Sequence, residues 1–291
     1  MESFMEPFMQ DAYSIVPAAD AGIAVPLIFD SPHSSRFCPD DMRSIAPQAA
    51  LDTGWDAYVD ELWGKTPQLG ATLLAARVHR MYIDFNRSRE DIDTELLAEA
   101  WPDAIRPTEK SKAGMGLIRR YALPGVALYD RKLSVTEVQH RIREYYAPYH
   151  RALQDLIDAA HTRYGQVWHI DCHSMKATGN AMNIDNGSRR ADFVLGDRDG
   201  GSADPAFTRW VAEQLQGFGY DVKINDPYRG AELIRAYSDP AHGRHSIQIE
   251  INRALYMDEK NCTRNRGFSE LQANLTMLAA RIAAYARARL K

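Results

Sequence analysis

Trp168-His169-Ile170-Asp171-Cys172-His173 is the stretch on which the fold turns: an apolar, strand-like run that breaks into polar, reactive side chains. Three other stretches have the same form. They are Phe29-Asp30-Ser31-Pro32-His33-Ser34, Tyr82-Ile83-Asp84-Phe85-Asn86-Arg87 and Ile247-Gln248-Ile249-Glu250-Ile251-Asn252. In open α/β sheets, ligands sit beyond the carboxyl ends of the strands. Two histidines, an Asn-Arg pair and a glutamate delivered there point to metal-assisted hydrolysis of an anionic substrate.

Outward from these runs, strands alternate with helices. Residues 25–29 read as a buried strand, because buried parallel strands are continuously apolar. Residues 72–78 read as a second, with 82–85 continuing or following it. Further strands fall at 166–171, 221–224 and 246–251, and a short apolar Phe193-Val194-Leu195 lies within the polar stretch 180–201. A helix is expected over 52–63, capped by Asp52 or Thr53. Another runs over 134–164, opened by Ser134 and Glu137 in a capping-box pattern and kinked or broken at Pro148. Asp204-Pro205 starts a helix to about residue 215. Residues 266–291 form an amphipathic helix whose stripe, Leu271, Leu275, Leu278 and Ile282, reads as core packing rather than a dimer contact. Residues 91–122 are irregular, either a functional lid or a solvated excursion. The alternation indicates a three-layer α/β/α fold around a mixed, mostly parallel central sheet. One domain over 1–291 is expected, with its core roughly over 24–260.

The 291 residues are 45% hydrophobic and 25% charged with a net charge of -4, a balance unlike that of a dedicated nucleic-acid binder. There is no P-loop and no GxGxxG after a strand, so nucleotide use has no support. Cys38, Cys172 and Cys262 are sparse and lack CxxC spacing, which suits a reducing cytoplasm rather than a disulfide framework. The start, with Glu2, Glu6 and Asp11, is unlike a signal peptide, and no apolar run approaches the ~20 residues of a membrane span. Expected partners are therefore a small anionic substrate, with no nucleic acid and no membrane, and a second copy of the chain is possible.

The strand-end residues divide by chemistry. His33 and His173 suit zinc, which neutral imidazole binds well; His169 competes with His173, and Cys172 reads as an inert packed thiol. Asp171 would orient a ligand from behind. Catalytic zinc takes three protein ligands, and Asp52 and Asp56, one helical turn apart, are the candidates for the third. Glu250 shares a strand face with Ser246, Gln248 and Asn252 while isoleucines fill the other. Such a strand either lines a polar site, where a glutamate can move protons, or faces solvent from a sheet edge. Arg80, Tyr82, Asp84 and Asn86 alternate along their run, and Asn86 with Arg87 reads as a clamp for a substrate carboxylate. Asp84 paired with an arginine would be a structural salt bridge beside it.

In order along the chain, Ser31-Pro32-His33-Ser34, Asp52 to Asp56, Arg80-x-x-x-Asp84-x-Asn86-Arg87, Asp171-x-His173-Ser174 and Gln248-x-Glu250 form a distinctive set. It resembles the N-formylglutamate amidohydrolase family, the deformylating enzymes of histidine degradation. The likeness extends to Asp192-Phe193-x-Leu195-Gly196, Arg229-Gly230, Tyr256-Met257-Asp258-Glu259 and Tyr149-His150. The resemblance implies the zinc carboxypeptidase-like (phosphorylase/hydrolase-like) α/β/α fold that aspartoacylases share, and one zinc ion per chain. It places zinc on His33, Asp56 and His173, the general base at Glu250 and the substrate carboxylate on Asn86 and Arg87. Arg80, Arg229, Arg235 and His245 match further family positions and would serve the glutamyl carboxylates. The chain departs at Arg36, which stands where the carboxypeptidase pattern has its acidic ligand. That leaves Asp56 preferred over Asp52.

Overall fold

The structure, a computed structural model, describes residues 11–179 and 185–290. Glu2 and Glu6 of the acidic start, and residues 180–184 of the polar stretch, lie outside the described residues. The strands are β1 (Tyr13–Val16), β2 (Leu27–Ser31), β3 (Thr72–Ala76), β4 (Tyr121–Leu123), β5 (Val126–Ala127), β6 (Val167–Met175), β7 (Phe193–Gly196), β8 (Val222–Ile224), β9 (Arg244–Asn252), β10 (Met257–Asp258) and β11 (Thr263–Arg264). Seven of them form the central sheet in the order β1-β3-β2-β6-β9-β7-β8, while β4-β5 and β10-β11 are small ribbons. The four middle strands β3, β2, β6 and β9 run parallel. β1 and β7 join antiparallel on either side, so the sheet is mixed and mostly parallel.

The helices are α1 (Gln48–Asp52), α2 (Val59–Leu62), α3 (Glu109–Lys112), α4 (Val135–Arg141), α5 (Ala147–Tyr164), α6 (Pro205–Gln216), α7 (Glu232–Tyr237) and α8 (Phe268–Arg287). One sheet face is apolar along its length. Phe29, Trp168, Ile170, Ile247, Ile249 and Ile251 pack there with Phe207 and Val211 of α6 and Leu271, Leu275, Leu278 and Ile282 of α8. All four stripe residues of α8 are buried, each worth roughly 1.5–3 kcal/mol, so the stripe is core packing. The other face is divided. Ile28, Leu74 and Val167 meet Tyr149, Leu153 and Ile157 of α5, whereas Asp30, His169, Asp171, His173, Gln248 and Glu250 are buried polar groups. Burying six such groups costs free energy unless each is paired, and their pairing builds the site.

Several local expectations change. Residues 52–63 are not one helix: α1 ends at Asp52, and Tyr58 at φ 63° precedes α2. Asp52 does not cap, because Arg36 and Gln48 claim its carboxylate. The break releases Asp56, whose N–H bonds the His33 carbonyl at 3.0 Å. Residues 82–85 are not a strand but successive turns, with Tyr82 N–H on His79 O and Arg87 N–H on Asp84 O. The apparent alternation there is a run of core residues: Met81, Tyr82, Ile83 and Phe85 are all buried.

Ser134 and Glu137 form the expected capping box. The irregularity near Pro148 is a wide π turn at Ile142–Tyr146, after which Pro148 sits comfortably in the first turn of α5. β6 and β9 each run to nine residues, so His173 and Glu250 lie within strands rather than past their ends. Residues 91–122 are solvated only in part: 98–109 are mostly exposed, while both ends of the segment pack into the protein. Leu117 and Ile118 are buried, and Asp91 accepts from both Thr108 N–H and its hydroxyl.

Candidate active site

Register sets the first pair. β6 and β9 are parallel neighbours with His173 opposite Glu250 and Asp171 opposite Gln248. β9 is flanked by β6 and β7, so Glu250 cannot be an edge residue facing solvent. His33 follows β2, and its loop is pinned by a hydrogen bond between the Ser31 and Ser34 hydroxyls and by Asp60 N–H on Ser34 Oγ. The turn after α1 swings Asp56 onto the same point.

His33 Nδ1, His173 Nδ1 and Asp56 Oδ2 converge there. The nitrogens are 3.2 Å apart, Oδ2 is 3.0 Å from His173 Nδ1, and it is 3.7 Å from His33 Nδ1. Ligands at 2.0–2.1 Å around a tetrahedral zinc would be roughly 3.3 Å apart, so the triangle fits such an ion. The outward nitrogens support this reading. His33 Nε2 lies 2.8 Å from Asp84 Oδ1, and His173 Nε2 lies 2.8 Å from Asp171 Oδ1. A carboxylate can only accept, so Asp84 takes the His33 Nε2–H and leaves that Nδ1 facing the centre, the usual arrangement behind metal-bound histidine, while Asp171 Oδ1 stands at ion-pair distance from His173 Nε2 without a hydrogen-bond partner among the described residues. Asn86 Nδ2 is also 2.9 Å from His173 Nε2, but it finds its acceptor in Asp171 Oδ2 at 3.0 Å.

Burial would raise the Asp56 carboxyl. Its hydrogen bonds to His173 and His33 and the Arg253 charge hold it well below the usual range instead. Burial, then Arg80, lowers His33. Burial opposes protonation of His173, yet the Asp171, Asp56 and Glu250 carboxylates hold it well above its ordinary value.

These groups open into a cavity of about 520 Å³. Glu250 lines it, and burial raises its carboxyl, with His173 opposing. Gln248 donates to Glu250 Oε1 at 2.8 Å, and the other oxygen has no partner among the described residues. Arg80 lines the cavity while bonded to Asp84 Oδ2 at 2.8 Å, the salt bridge read from the sequence. Asn86 is held at both ends, by Asp171 and by Leu233 N–H on its Oδ1 at 2.9 Å. Arg87 lines the wall and, among the described residues, bonds only main-chain carbonyls, those of Met115 and Asn86. Arg229 reaches the rim but is mostly exposed and paired with Asp199.

Two expected residues lie elsewhere. Arg235 turns outward on α7 and pairs with Glu232. His245 stacks on Trp168, five residues before Glu250 on the same strand and therefore about 16 Å from it. Asp52, bound to Arg36, does not join the triangle, and neither does His169. Cys172 points to the apolar face and is buried.

The sequence reading passed over Arg253. It donates to Asp56 Oδ1 at 2.7 Å, to Ser174 Oγ at 3.0 Å and to the Thr53 carbonyl at 3.1 Å, tying the Asp56 turn to the sheet. A signal was present, since Arg253 follows the Asn252 strand end as Arg87 follows Asn86. Gly196 was legible only as a motif. A Cβ there would stand 2.6 Å from Gly230 N, so the bare backbone lets the 227–231 loop close against β7. That contact brings Ala231 N–H to Gln248 Oε1.

Fold and pocket together define an α/β protein of the amidohydrolase class. Residues 25–257 match the family model described as N-formylglutamate amidohydrolase. The chain is 28% identical over 240 residues to an N-formylglutamate deformylase of Pseudomonas aeruginosa, covering 81% of this chain and 84% of that protein. It is 28% identical over 245 residues to one of Pseudomonas putida, covering 81% and 83%. A crystal structure of N-formylglutamate amidohydrolase from Ralstonia eutropha JMP134 superposes with a TM-score of 0.90 at 45% identity, over 96% of this chain and 99% of that one. A gene product of Agrobacterium tumefaciens shares the fold at a TM-score of 0.59 and 17% identity, over 96% of each chain. The chain belongs to the N-formylglutamate amidohydrolase family.

Proposed function

We propose that this chain hydrolyses the formyl amide of N-formyl-L-glutamate to L-glutamate and formate, using one zinc ion held by His33, Asp56 and His173. The observation that carries this reading is the triangle of two Nδ1 atoms and one Oδ2 beside Glu250, in a cavity walled by guanidinium groups. Zinc bound there would supply Lewis acidity toward the formyl carbonyl and lower the pKa of a water. The protein's own groups do the rest. Glu250, with one oxygen fixed by Gln248 and one free, takes a proton from the attacking water. It returns that proton to the amino nitrogen as the C–N bond breaks, and formate and glutamate leave. A carboxyl raised by burial suits both halves of that transfer. Arg80, 3.9 Å from Asp56, is placed to stabilise negative charge on the former formyl oxygen.

This reading puts the enzyme in histidine degradation, on the strength of its family. It puts the enzyme in the cytoplasm on the strength of three free cysteines. No helix of the described residues is long and apolar enough to cross a membrane.

The test is formate release from N-formyl-L-glutamate by zinc-loaded protein beside a chelated control. Release that requires the metal is expected. Glu250→Gln should keep zinc and lose about 10²–10⁴-fold in turnover; a fully active variant would overturn the role given to Glu250.

A further inference from the structure

The cavity holds more positive charge than its own acids need. Two of its carboxylates, Asp56 and Glu250, face eight lysines and arginines. Four of the cations are already engaged. Arg253 is 2.7 Å from Asp56, Arg80 is 2.8 Å from Asp84, Arg190 is 2.6 Å from Asp185, and Arg229 is 3.0 Å from Asp199. Lys176 is lowered by burial and by Arg253, with Glu259 opposing, and lies on the Arg253 side of the cavity. The remaining three are Arg87, Lys110 and Arg119.

They gather on one wall. Arg87 Nε bonds the carbonyl of Met115, which stitches it to the 91–122 segment that carries Lys110 and Arg119. Lys110 sits on α3, half-buried, and its Nζ meets no acid among the described residues. Arg119 is 9% exposed. Its one acidic contact is Asp84 Oδ2 at 3.4 Å, which Arg80 already holds at 2.8 Å, and its Nε is buried with no partner among the described residues. The three feel one another as like charges. Burial and then Arg80 push Arg119 down to about 9, and burial, then Arg87 and Arg119, lower Lys110. Asp84 is shared between Arg80 and Arg119, so the cations crowded on this wall are under-compensated until an anion arrives.

Resting on the function proposed above, we infer that Lys110 and Arg119, with Arg87, form the subsite that takes the second carboxylate of a dianionic N-acyl amino acid. Charge selectivity then resides in the 91–122 segment, and Lys110 and Arg119 are specificity residues that the sequence motifs did not mark. A carboxylate on this wall meets two planar guanidinium forks and one ammonium, while its uncharged amide counterpart meets the same donors without the charge.

The test compares kcat/KM for N-formyl-L-glutamate and N-formyl-L-glutamine, which differ by one charge at nearly equal size. In Lys110→Met the preference for the glutamate substrate should fall about tenfold or more, mainly through KM. A preference within twofold of wild type would overturn the subsite. Lys110 is half-buried on a short surface helix, so this variant should fold; Arg119→Lys gives an independent check and should lower the same preference. Should the wild type release formate from neither substrate, the proposed reaction fails, and the subsite is judged by calorimetry with glutarate and butyrate. Wild type should favour the dianion and Lys110→Met should lose about tenfold of that preference; equal preference in both proteins would overturn the subsite.

Discussion

β6 carries two histidines on one face of the sheet, four residues apart, and each meets a buried aspartate. His169 Nε2 is 2.8 Å from Asp30, its Nδ1 is 3.2 Å from Ser246 Oγ, and Tyr149 closes the set with a hydrogen bond to Asp30. Ser246, His169 and Asp30 have the composition of a hydrolytic triad, yet each is at most 1% exposed and none lines the cavity. His173 Nε2 stands at ion-pair distance, 2.8 Å, from Asp171 Oδ1, and its Nδ1 turns to Asp56 and His33 at a cavity wall. Chemistry and spacing are alike in the two regions. What separates an internal strut from a candidate metal ligand is whether the far nitrogen ends on a protein hydroxyl or at an accessible convergence of lone pairs.

Paired variants break the comparison most sharply. His169→Ala leaves buried Asp30 with Tyr149 alone and should cost about 3–5 kcal/mol in urea unfolding, while the proposed zinc binding should survive in the folded protein. His173→Ala should do the reverse, losing zinc with a smaller loss of stability. Equal stability losses would mean that both histidines are struts. The next effect is subtler. Asp171→Asn keeps the shape but weakens the support behind His173, so zinc affinity or turnover should fall about 10–100-fold in a competition titration.

A third histidine sharpens the contrast because no acid hydrogen-bonds it among the described residues. His79 Nδ1 accepts Met81 N–H at 2.9 Å, and its Nε2 is buried without a partner among the described residues. Burial, reinforced by Arg80, lowers its pKa from 6.5 to about 3. The folded value lies below the unfolded one, so the unfolded chain takes up the proton first as pH falls. The stability contribution is complete above pH 6.5 and is lost toward pH 3, at up to about 1.4 kcal/mol per pH unit. His79→Gln should flatten that limb of the unfolding-versus-pH curve. The smallest effect belongs to Asp52, the other acid once weighed as a ligand. Its partner Arg36 has a half-exposed side chain, so Asp52→Asn should cost no more than about 1 kcal/mol and leave zinc content unchanged.

Strand identity was legible wherever the chain is apolar by itself. Ile247, Ile249 and Ile251 announce β9, and Trp168 with Ile170 and Cys172 announces β6. The site was legible in part for the same reason, since His173 and Glu250 ride on those strands. The turns were not legible. Met81, Tyr82, Ile83 and Phe85 imitate a strand because a buried loop also needs apolar anchors, and only tertiary contacts show which ones. The helix expected over 52–63 fails because Arg36, sixteen positions before Asp52, takes the carboxylate that would have capped it. Lys110 and Arg119 look like surface charge until the 91–122 segment is seen folded onto the cavity.

The wide turn at Ile142–Tyr146 bears on how this chain tolerates insertions and deletions. It accommodates one surplus residue between α4 and α5. At its end Tyr146 holds the Arg87 carbonyl, and beyond it Tyr149 holds Asp30 and His150 contacts the Phe85 carbonyl. Deleting a single residue there would restore regular helical geometry with the flanking turns still in register, whereas a deletion within regular α5 would rotate everything downstream by about 100°. The same one-residue loss would thus be absorbed at the wide turn and would detach the helix from the sheet a few residues later.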